Sequence, residues 1–216
     1  MAVWRARIRC SLVAAGIAAA ATSAGSAREI TPESAAGCFG RSVCEVAGIR
    51  LAAFGGDNRP ARLVLQVDAE RGGAGIGVDH DPGNGFNDAE IQGSVGGAGG
   101  EALEVRFPGQ RRVEAIAFAH LFNPDLIPDD PVETAVVVAY AGGEAIARIA
   151  VTSVGEGFEI DGDAALAHDP GAPGVVRVLE PFGALEPDRL VFTAPGVEGG
   201  DSADYSVAAI RVAPAP

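Results

Sequence analysis

Ala102-Leu103-Glu104-Val105-Arg106-Phe107 alternates apolar and polar side chains at every second position. Side chains of an extended strand point to opposite faces in turn, so this stretch predicts a half-buried strand. Outward from it, short runs of the same kind recur, separated by Gly, Pro, Asp and Asn. They are Gly48–Phe54, Arg62–Asp68, Gly75–Val78, Arg112–Ala119 and Glu133–Tyr140, then Ala145–Thr152, Gly174–Leu179, Arg189–Thr193 and Tyr205–Val212. Thr134–Tyr140 is apolar on both faces, as a central strand is. Ten such runs with turn chemistry between them predict an all-β chain, a single-domain β-sandwich or jelly roll of about ten short strands. Helix is expected only as a turn or two at Glu33–Arg41 and at Asp161–Ala167. Glu144–Ala150 has helix propensity, but its flanking Val runs favour strand.

The first 27 residues carry a different pattern. Arg5, Arg7 and Arg9 precede an apolar run from Leu12 to Ala21, and small residues Thr22 to Ala27 follow. This is the layout of a secretory signal peptide cleaved after Ala27, and the run is short for a membrane span. The mature chain is therefore expected to be exported (secreted, periplasmic or cell-surface), with no membrane span. Cleavage removes the only Trp, the only Met and Cys10, leaving 189 of the 216 residues. The formal charge of −13 deepens to −16, because three Arg and no acid leave with the leader. Such a surface repels phosphate backbones and argues against nucleic acid as a partner. Every basic residue is Arg, so Schiff-base and P-loop chemistry lack their Lys.

Two cysteines remain, Cys38 and Cys44. In an oxidising compartment this isolated pair reads as a disulfide closing a short loop. It sits in an N-terminal segment, 28–46, that leads into the β-sandwich of 47–212, with 213–216 as a loose tail.

The densest polar stretch is the loop from Asp79 to Glu90. Asp79, Asp81, Asn84, Asn87, Asp88 and Glu90 supply oxygen ligands, and Gly83 and Gly85 permit tight turns. Calcium is the cofactor this ligand set points to. The loop is not an EF-hand, because Asn84 stands where that motif needs Gly and the flanks are not helical. A solvated hairpin loop explains the same residues equally simply. Glu159–Asp163 is a second acidic stretch and reads as a turn.

Catalytic signatures are missing from the sequence. It contains neither a G-x-S-x-G elbow nor an H-E-x-x-H pair. His80 and His168 precede Asp-Pro and read as turn residues, whereas His120 ends an apolar run and reads as a strand-end or core residue. Paired carboxylates remain available for a glycosidase, but the sequence picks no pair.

Gly75–Val78, the Asp/Asn/Gly loop, Glu90–Gly93, Glu101–Phe107, Val113–Phe118 and Asp204–Val212 together resemble a loose group of exported bacterial β-sandwich proteins. Members of that group often carry a PEP-CTERM sorting tail. The resemblance implies an exported surface or matrix-associated domain and transfers no catalytic residues. The end at Val212-Ala213-Pro214-Ala215-Pro216 departs from the pattern, so a freely soluble product is expected. The leading expectation is a non-catalytic exported sandwich that binds extracellular polysaccharide or a surface protein, with calcium ordering the loop. A secreted carbohydrate-active hydrolase and a purely structural surface protein are the alternatives.

Overall fold

The alternation resolves into two antiparallel sheets in the computed structural model, which describes residues 27–68, 73–80, 90–93, 100–123, 132–168, 172, 174–196 and 204–214. The strands begin with β1 (Arg28–Ile30), β2 (Val43–Val46), β3 (Ile49–Phe54), β4 (Arg62–Asp68), β5 (Gly73–Asp79), β6 (Ala102–Arg106) and β7 (Val113–Ala119). They continue with β8 (Thr134–Ala141), β9 (Glu144–Val154), β10 (Gly157–Asp161), β11 (Ala165–His168), β12 (Val176–Leu179), β13 (Arg189–Thr193) and β14 (Ser206–Val212). One sheet has the order β11-β12-β7-β14-β5-β4, with β1 beside β14. The other runs β10-β9-β8-β13-β6-β3-β2.

The all-β expectation holds, with four more strands among the described residues than the ten runs. Segment 28–46 supplies β1 to one sheet and β2 to the other, and Cys38 and Cys44 are disulfide-bonded with Cα atoms 5.5 Å apart. Two local expectations are corrected. Asp161–Ala167 forms no helix, because Ala165–His168 pairs residue for residue with Val176–Leu179. Tertiary pairing there overrides local alanine propensity. Glu159–Asp161 is not a turn but the end of β10, paired to Ala150–Thr152. The single-turn helix Ala36–Cys38 does fall inside Glu33–Arg41.

Inward residues of the two sheets meet in one core. Phe118 of β7 packs edge-on against Phe192 of β13 at 6.4 Å and against Tyr205 at 5.6 Å, bridging the layers. Large side chains buried this completely are each worth about 1.5–3 kcal/mol in transfer from water. The Tyr205 hydroxyl donates to the Thr193 carbonyl at 3.0 Å, which satisfies its one polar atom inside the core. Burial holds that phenol well above its usual range. Gly75 is required by contact: a Cβ there would fall 1.9 Å from Ser206 Oγ.

Candidate functional site

Of the six residues expected to ligate calcium, Asp79 and Glu90 lie among the described residues. Asp81, Asn84, Asn87 and Asp88 lie outside them. The loop stems are gathered by a residue the sequence reading passed over. Glu101 is buried, and its carboxylate accepts the backbone N–H of His80 and of Gln92, each at 3.1 Å. His80 Nδ1 adds a third contact at 2.8 Å. One carboxylate thus ties the chain entering the loop to the chain leaving it. Burial pushes the Glu101 carboxyl up to about 7, opposed by His80 and the Gln92 N–H.

Glu90 turns towards His120, with its Oε1 3.5 Å from the Nδ1. That ring follows β7 with φ +61, a left-handed backbone that costs a non-glycine residue of order 1 kcal/mol. Ser206 Oγ lies 2.6 Å from the same Nδ1. Nε2 is buried and makes no hydrogen bond among the described residues. Burial lowers the pKa of His120, against the raising influence of Asp68 and the Gly73 backbone. Beside this group the buried Glu133 hydrogen-bonds Asp204 and accepts the N–H of Phe122. Desolvation first, then the charges of Asp204 and Glu90, push the Glu133 carboxyl up to about 11. It therefore carries its proton at neutral pH.

Serine, histidine and two acids are gathered here without the geometry of a nucleophilic site. A triad needs serine on one imidazole nitrogen and the acid on the other. Ser206 and Glu90 instead share Nδ1, and Ser206 has no exposed surface. Glu133 and Asp204 hydrogen-bond directly, whereas a glycosidase holds its carboxyls about 5 Å or more apart. Among the described residues, no group of three or more His, Cys, Asp and Glu is arranged to hold a metal ion. These polar groups fasten loop stems to the sandwich.

The exposed chemistry lies on the outer face of the β10-to-β2 sheet, and sequence reading missed it. Arg50, Arg106 and Arg189 stand opposite one another on adjacent strands β3, β6 and β13, with Tyr140 of β8 next in the row. Glu104 serves two of the three, at 3.2 Å from Arg106 and 3.3 Å from Arg189. The Arg189 guanidinium also lies 3.9 Å over the Tyr140 ring. Arg50 makes no ion pair among the described residues. At the end of this row a cleft of about 460 Å³ opens between the chain after β6 and the β8–β9 turn. A larger groove of about 910 Å³ runs between the sheet edges near β9 and β12, over Ile149 and Phe182 with Glu114, Arg148 and Glu180 along it. The signal in the sequence was Arg at the polar position of alternating strands. Their juxtaposition depends on register, which the sequence does not carry. No family model matches the chain, and no curated protein or solved structure shows significant similarity to it.

Proposed function

We propose that the chain is a non-catalytic binding domain of the exported kind, engaging extracellular polysaccharide or a partner at a cell surface. The observation carrying this reading is the division of its polar chemistry. Ser206, His120, Glu133 and Glu101, the groups with reactive potential, are each at most 3 % exposed, while arginines and grooves face solvent. Among the described residues, the first set is closed to a substrate and the second is open to one. The Cys38–Cys44 bond supports an oxidising compartment. The resemblance to exported bacterial sandwiches, PEP-CTERM-associated members included, is part of the proposal. Calcium ordering of the 79–90 loop is a separable refinement, weakened by the inward turn of Glu90.

The test is a panel of acidic and neutral polysaccharides assayed twice with the same protein. Affinity electrophoresis reads retention, and a reducing-end assay reads cleavage. Retention on at least one polymer without new reducing ends is the expected result. New reducing ends that track protein concentration would move the chain to the hydrolase alternative, and no retention on any polymer would leave only a structural role.

A further inference from the structure

We propose that the cleft between Arg106 and Arg189 is a subsite for a single carboxylate, carried by an acidic sugar. The sugar part rests on the polysaccharide-binding reading above; the carboxylate part rests on the cleft itself. Its walls come from Arg106, Pro108, Gly109, Gly142, Gly143 and Arg189. Gly142 and Gly143 form the β8–β9 turn at φ +59 and +91, a backbone that favours glycine at both positions. With no side chains there, the turn leaves the cleft open beside both guanidinium groups. Asp188 lines the same cleft and brings its negative charge to it, with its carboxylate held by the Gly142 N–H at 2.8 Å.

The donor inventory points to an anion. Each guanidinium carries five N–H donors. Arg106 and Arg189 each direct one nitrogen to Glu104, and their remaining donors have no partner among the described residues. Like charges opposite one another across neighbouring strands, about 4.8 Å apart, are destabilising. With Glu45 opposite Arg50 and Glu104 shared by Arg106 and Arg189, the row still keeps N–H donors for a carboxylate, which accepts two parallel N–H bonds from a guanidinium fork. Charge also limits what can arrive. The chain stands at −13, a field that opposes long polyanions. A short ligand bearing one carboxylate per sugar fits both the local donors and the global field.

The experiment is isothermal titration of the full chain with trigalacturonate, beside maltotriose as the neutral equivalent and inorganic phosphate as the competing oxyanion. Arg106→Gln is the principal variant because the side chain is half exposed. Arg189→Gln is the second, and Arg177→Gln on β12 is the control. Binding of trigalacturonate but not maltotriose is expected, weakened tenfold or more by Arg106→Gln and by Arg189→Gln and unchanged by Arg177→Gln. Unaltered melting of Arg106→Gln shows that the loss is local. Equal binding by Arg106→Gln and the parent would overturn the subsite. Maltotriose binding indifferent to these variants would overturn it too while keeping the broader binding reading. Phosphate that displaces the sugar at equal concentration overturns the carboxylate assignment. Dimerisation abolished by Arg106→Gln would give the cleft to a second copy of this acidic chain.

Discussion

Glu133→Gln should make this protein more stable, and the gain should grow with pH. The buried Glu133 carboxyl is pushed up to about 11, so the folded chain keeps its proton across the whole neutral range. In the unfolded chain the same carboxyl ionises around 4.5. An acid whose folded pKa is raised contributes fully below the unfolded value and progressively less as pH climbs towards the folded one. Each pH unit above 4.5 therefore costs the folded state about 1.4 kcal/mol. At pH 7, two and a half units higher, the cost reaches about 3 kcal/mol, set by the pH and not by where the folded carboxyl finally titrates. Glutamine escapes it, because an amide has no proton to lose. Its oxygen can accept the Phe122 N–H, and its NH₂ can donate to Asp204 as the protonated carboxyl does. Urea unfolding of parent and variant from pH 4.5 to 8 should give curves that coincide at the acid end. By pH 7 they should separate by about 3 kcal/mol, roughly ten degrees in melting temperature. A variant less stable than the parent at pH 7, or a gap that ignores pH, refutes a neutral Glu133.

Three further outcomes follow from the same contacts. Reducing Cys38–Cys44, or replacing both by Ala, should lower stability by about 2 kcal/mol in urea unfolding, because the loop it closes is short; an unchanged midpoint would show that the unfolded chain gains nothing from release. Gly75→Ala should cost about 1–3 kcal/mol, since its Cβ would meet Ser206 Oγ at 1.9 Å, and adding Ser206→Gly should recover part of the loss. A neutral single variant would contradict this packing. Calcium-loaded and EDTA-treated protein should melt at the same temperature, because Glu90, the last of the six candidate ligands, is turned to His120; a calcium-dependent rise abolished by Asp81→Ala would restore the metal to that loop.

The strands legible in the sequence were those with one wet face or with two dry ones. Arg62–Asp68 and Arg189–Thr193 match β4 and β13 end for end. The strands passed over were short or compositionally ambiguous. β1 has three residues and exists because Ile30 finds Ile210 across the sheet. β11, Ala165-Leu166-Ala167-His168, carries helix-favouring alanines that only pairing to β12 makes extended. Phe158 and His168 meet edge-on at 4.9 Å across β10 and β11, a contact no local reading contains.

The site was harder to read because it depends on register rather than composition. Glu101 stands just before the strand read at Ala102–Phe107, yet its depth lets one carboxylate hold both stems of the 79–90 loop. Arg50, Arg106 and Arg189 are far apart in sequence and become neighbours only through the order β3-β6-β13. The net charge was misleading on this point for a physical reason. Charges separated by more than about 8 Å are largely screened at physiological ionic strength. A total of −13 governs how a long polyanion approaches but not the field a few ångströms above these arginines. Adjacent strands bring their guanidinium groups within that screening distance, so they act on a ligand together. Expecting no nucleic-acid partner from net charge and proposing a local carboxylate site on the same molecule are therefore compatible: the first concerns the approach of many charges, the second the docking of one.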